Sequence, residues 1–69
     1  PFWEQAVRLA VERGEISTSM LQRHLAIGFQ RASRLLDMME ERGIVAPRDG
    51  PRPREVLISP AEIDLYLRK

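Results

Sequence analysis

Gln30, Arg34 and Asp37 are spaced by four and three residues, which at 100° per residue places them on one stripe of a helix that Glu41 continues. Ala32, Leu35, Leu36 and Met39 form a stripe almost opposite, so one face can pack while the other stays free. Glutamine and arginine can make paired hydrogen bonds to the edges of adenine and guanine, and a carboxylate can accept from the cytosine amino group. The three side chains are therefore candidates for reading bases. The competing reading is a solvated helix face on which Arg34 and Asp37 pair at i, i+3. A second group of cations, Arg48, Arg52 and Arg54, lies in a proline-rich stretch, where flexible positive side chains suit phosphate or minor-groove contact. Pro51 and Pro53 restrict that stretch and lower the cost of ordering it, although a solvated loop tip has the same composition. Arg23 and Arg31 are further candidates for phosphate contact.

Other chemistries are poorly supplied. The chain has no cysteine and one histidine, His24, which excludes disulfides, thiolate zinc sites, a cysteine nucleophile and a two-histidine metal site. No metal, cofactor or catalytic residue is expected. A serine hydrolase would have to pair Ser17 or Ser19 with His24, yet both serines stand where helix caps belong, and no third group or pocket accompanies them. At 69 residues the chain is one small domain, residues 1–69, with little room for an enzyme pocket. Eleven Lys plus Arg against ten Asp plus Glu leave a net charge of +1, so any electrostatic function depends on placement rather than total charge. The placement is uneven: no acidic residue occurs between Glu15 and Asp37, an interval that holds Arg23, Arg31 and Arg34. No apolar run exceeds three residues, against roughly 20 for a membrane span, which predicts a soluble segment. The start at Pro1 suggests a domain of a longer polypeptide.

The elements that must position these side chains follow from periodicity and punctuation. Trp3, Ala6, Val7, Ala10 and Val11 have the spacing of one helix face, predicting a helix over 2–13 that stops at Gly14. Glu15 and Ile16 form a short extended piece. A second helix starts at either Ser17 or Ser19, both able to cap it, and turns Met20, Leu21 and Leu25 inward. A tight turn is expected at Gly28, whose backbone is permissive. The longest helix runs from Phe29 to Arg42, with Gly43 as its stop. Ile44–Ala46 and Val56–Ile58 are expected to be two strands joined by the basic loop. Ser59, Pro60 and Glu62 combine a cap, a first-turn proline and capping-box spacing, starting a last helix that reaches about Arg68 and faces Ile63, Tyr66 and Leu67 inward.

Helix, short strand, helix, tight turn, longer helix and hairpin is the order of a winged helix-turn-helix, mainly α with a small β-hairpin wing. In that fold the helix after the turn enters the DNA major groove. The same fold also serves as a transcription regulator or as a protein-interaction module, the alternatives here; strong salt dependence of duplex binding separates DNA from an acidic protein partner.

Leu21-Gln22-Arg23, Ile27-Gly28-Phe29-Gln30-Arg31-Ala32-Ser33-Arg34, Met39-Glu40 with Gly43-Ile44-Val45, and Pro53-Arg54-Glu55-Val56-Leu57 together resemble the C-terminal gamma domain of FtsK/SpoIIIE-type DNA translocases. The resemblance runs from Pro1 to about Ile58. It implies a reader of short polar repeats in double-stranded DNA that orients a hexameric motor, with no ATPase of its own because this chain contains no Walker motif. It implies as partners the motor domain of the same polypeptide and, in one branch, a XerD-type tyrosine recombinase. It further implies a cytoplasmic domain of a membrane-anchored protein at the division septum, monomeric when free and loaded in several copies on DNA. The family's reading trio falls on Gln30, Arg34 and Asp37, where its usual types are Asn, Arg and Glu. Both substitutions keep the chemical class and change reach by one methylene, which bears on the bases preferred.

Overall fold

The computed structural model describes residues 2–67. Its elements are α1 (Phe2–Arg13), β1 (Glu15–Ile16), α2 (Thr18–Leu25), α3 (Phe29–Glu41), β2 (Arg54–Glu55), a 3₁₀ turn at Pro60–Glu62 and α4 (Ile63–Leu67). The architecture is mostly helical with a small antiparallel sheet, as a winged helix requires. The three longer helices enclose a core of Ala6, Val7, Ala10, Val11, Ile16, Leu21, Ala32, Leu35, Leu36 and Met39, closed by Ile44, Val45 and Ile58. No polar or charged residue is buried among the described residues, so the core rests on apolar packing. Among them, too, no helix is long and apolar enough to cross a membrane.

The helix boundaries have identifiable chemical causes. Ser17 is the cap of α2: its Oγ accepts from the Met20 amide at 3.2 Å, while Ser19 lies exposed within the helix. At the end of α3, Gly43 adopts φ +79°; its amide donates to the Glu40 carbonyl and the Ile44 amide to the Met39 carbonyl, at 3.0 and 2.9 Å. This is a Schellman closure, and it turns Ile44 directly into the core.

The turn between α2 and α3 differs from expectation. Gly28 holds φ −77° and ψ 170°, extended angles open to any residue, whereas Ala26 takes the left-handed conformation at φ 55°, ψ 47°. The reversal falls on the residue that ends α2, and Gly28 serves instead as the N-terminal flank of α3 without a side-chain cap. A left-handed alanine carries a steric cost that glycine would not.

The wing also differs. Ile44–Ala46 and Val56–Ile58 do not form two full strands: their arms meet in a single bridge, Val45 with Val56, supported by the Ala46 amide on the Glu55 carbonyl and the Leu57 amide on the Ile44 carbonyl. The named sheet is β1 with β2, pairing Glu15 with Glu55 and Ile16 with Arg54. Ile44, Val45 and Ile58 are consumed as core residues, and the prolines at 51 and 53 cannot donate to a ladder, so pairing concentrates on Arg54–Val56. The segment 54–57 is thus the centre of the small sheet, with β1 on one side and residues 44–46 on the other.

The last helix begins as expected, with the Ser59 amide donating to Glu62 Oε1 at 2.8 Å, but α4 is short and preceded by the 3₁₀ turn. Ile63, Tyr66 and Leu67 are half-buried against the core; Arg68, the expected end, lies outside the described residues. Trp3 Nε1 of α1 donates to the Tyr66 carbonyl at 3.2 Å, and Arg42 from the end of α3 reaches the same carbonyl at 3.4 Å while its guanidinium sits 5.3 Å from the Trp3 ring centre. This joint ties α4 to the opposite ends of α1 and α3.

Candidate nucleic-acid interface

α3 is a helix of 13 residues whose inner stripe, Ala32, Leu35, Leu36 and Met39, is buried. Burial of that stripe fixes the rotation of the helix, and rotation decides what the other side presents. Gln30, Arg34, Asp37 and Glu41 are all exposed there. Among the described residues the ion pairs are Arg8 with Glu4 and Arg54 with Glu40, so Arg34 and Asp37 do not pair with one another. Nor do Gln30, Arg34 and Asp37 make side-chain hydrogen bonds to any described residue. Their donors and acceptors are available to a ligand.

Two depressions flank the stripe beside a third, of about 320 Å³, lined by Arg34, Asp37, Met38, Glu40 and Glu41. One, of about 570 Å³, is lined by Gly28, Phe29, Gln30, Arg31 and Arg34 at the start of α3. The other, of about 430 Å³, runs between α3 and the wing: Phe29, Ser33 and Asp37 share it with Arg48, Arg52 and Arg54 and with Ser17, Thr18 and Ser19 at the start of α2. Hydroxyls and guanidinium groups around a groove beside an exposed helix supply donors for phosphate oxygens. The start of α2 adds outward-pointing amides to the same rim.

The expected phosphate ligands separate into three kinds. Arg48 and Arg52 are exposed on the wing and make no ion pair with a described residue. Arg23 is exposed on α2 but lines neither depression, and Arg31 is exposed with its guanidinium 5.2 Å from the Phe2 ring centre. Arg54 is placed differently from these: its side chain is 12% exposed and its Nη1 lies 2.7 Å from Glu40 Oε1. Among the described residues it is the one wing arginine with an ion-pair partner. The cause is its place in β2, whose pairing with β1 brings its side chain against α3 instead of into the loop.

The surface placement of two residues was not legible in the sequence. Glu40, the partner of Arg54, sits 14 positions from it, a separation that no local pattern reveals. Phe29 falls within about 20° of Leu36 on the helical wheel, yet it is 63% exposed because it stands at the open end of α3. Periodicity gives the direction of a side chain, not whether anything covers it.

The packed stripe, the free stripe and the cationic wing define a winged-helix domain whose α3–wing edge carries polar side chains without partners among the described residues. Residues 1–59 match the family described as the Ftsk gamma domain, and the chain belongs to that family. It is 52% identical over 60 residues to the DNA translocase FtsK of Clostridium tetani, 52% over 62 residues to the DNA translocase SpoIIIE of Bacillus subtilis, and 56% over 59 residues to the DNA translocase FtsK of Mycobacterium tuberculosis. These alignments cover 87%, 90% and 86% of this chain but only 8%, 8% and 7% of those proteins.

Proposed function

We propose that this domain reads sequence in double-stranded DNA, with α3 in the major groove and the wing beside the adjoining backbone. Gln30, Arg34 and Asp37 meet base edges; Arg23, Arg31, Arg48 and Arg52 meet phosphates. The observation that carries this reading is the exposed Arg34, unpaired among the described residues, at the centre of a free stripe whose helix is held in rotation by four buried side chains. An arginine in a rigid helix presents a fork matched to the guanine edge. Membership of a domain family found in DNA translocases supports the wider role: the domain loads in several copies on a polar repeat and orients the motor of the same polypeptide for chromosome segregation. In that role it acts at the division septum on the cytoplasmic side, with a XerD-type tyrosine recombinase as a second partner, checked by whether the duplex-bound domain stimulates recombination in a purified reaction.

Selection of bound duplexes from a random pool tests the central reading. The expected product is an asymmetric site, guanine-rich on one strand, bound by a chain that sediments as a monomer without DNA. A perfect inverted repeat recovered together with a stable free dimer would instead establish a two-fold symmetric regulator.

A further inference from the structure

Arg54 is held at both ends. Its backbone pairs with Ile16 in the small sheet, and its guanidinium meets Glu40 on α3 at 2.7 Å, the charge-assisted distance. Three elements therefore converge on one residue: β1, β2 and α3. Elsewhere the wing has few ties. Its arms share one bridge, and within the loop the Arg52 amide reaches the Asp49 carbonyl at 3.4 Å. Glu40 stands three residues after Asp37, one turn along α3 from the free stripe, and remains 42% exposed. A carboxylate there repels a phosphate backbone, so it lowers DNA affinity unless it does something else.

We propose that Arg54 is a positioning residue and not a DNA ligand: through Glu40 it fixes the distance between wing and α3, keeping Arg48 and Arg52 beside the reading stripe. This inference rests on the reading of α3 as the DNA-facing helix, and it makes a prediction of opposite sign from simple charge counting. If Arg54 is a phosphate ligand restrained by Glu40, then Glu40→Gln frees it and removes a repulsive charge, and binding tightens. If the pair is a strut, the same change loosens the wing and binding weakens.

The test is titration of a labelled duplex, taken from the random-pool selection, against the parent chain, Glu40→Gln, Arg54→Gln and the exchange Glu40→Arg/Arg54→Glu, at a temperature where thermal melting shows all four folded. Glu40→Gln is expected to weaken binding about threefold, the scale of a partly exposed ion pair. The exchange, which restores the pair in reverse and leaves net charge unchanged, is expected to bind more tightly than either single variant. Binding by Glu40→Gln equal to or tighter than the parent, or an exchange no better than the single variants, would overturn the strut. A parent chain with no duplex binding would overturn the DNA reading and the strut together, whereas an unmoved Glu40→Gln against a parent that binds overturns the strut alone.

Discussion

Arg42 and Arg34 stand eight residues apart near the same helix and have opposite fates. At the α1–α4 end, Arg42 lies over Trp3 and donates to the Tyr66 carbonyl, so its hydrogen-bonding capacity is partly spent on joining α3 to α4. At the wing edge, Arg34 has no such partner among the described residues, and neither do Arg48 and Arg52. Freedom from internal partners does not by itself mark a candidate ligand, since Arg13 on α1 is equally unpaired among the described residues; Arg34 adds to that freedom a place on the exposed stripe of a helix fixed in rotation by its buried face. A near-neutral total of +1 conceals this, because it sums arginines that hold the molecule together with arginines that face outward.

The strongest break of the contrast comes from its foundation. Leu36→Ala removes a side chain 2% exposed in a small core and is expected to cost about 2–5 kcal/mol, read as a large fall in the thermal midpoint. Gln30→Ala, on the exposed stripe of the same helix, should leave the midpoint nearly unmoved; equal losses would mean that the two faces of α3 are misassigned. Next in size, Arg34→Ala is expected to weaken binding of the selected duplex by about 1–3 kcal/mol and to flatten preference at one or two positions. Unchanged affinity and preference in a binding titration would remove α3 as the reader.

Ala26→Gly sharpens the contrast from the stabilising side. Relief of the left-handed alanine should raise stability by about 1 kcal/mol in a denaturant titration, without altering base preference. The smallest effect distinguishes the arginines directly: Arg52→Ala should make the slope of log affinity against log salt shallower by about 0.9 while leaving the melting midpoint in place. Arg42→Ala should do the reverse, lowering the midpoint with the slope intact.

Legibility in the sequence followed the range of the interactions involved. α1, the inner stripe of α3 and the stop at Gly43 depend on residues a few positions apart, and spacing alone located them. The start of α2 lay between Ser17 and Ser19 because both have the right side chain; the hydrogen bond from the Met20 amide to Ser17 Oγ decides between them. Gly28 misled for a related reason: glycine permits a left-handed turn without requiring one, and the geometry placed it on Ala26. The sheet was least legible. β-Branched residues at Ile44, Val45 and Ile58 have strand propensity, but burial claimed them for the core, and pairing passed to a segment containing two charged residues. Arg54 looked like its neighbours in the loop because an ion pair across 14 positions has no signature in composition.

The spacing from Gln30 to Asp37 also limits how much information one domain can extract. Seven helical rises span about 10 Å, the height of roughly three stacked base pairs. On the proposed reading, a three-base-pair word is one of about 64, so on random DNA it recurs every few helical turns in either orientation and says almost nothing about location. A single domain would therefore be a poor compass. On the same reading, copies set side by side on one strand would multiply the word length, and repetition of one asymmetric word would make an address rare enough for its direction to be used.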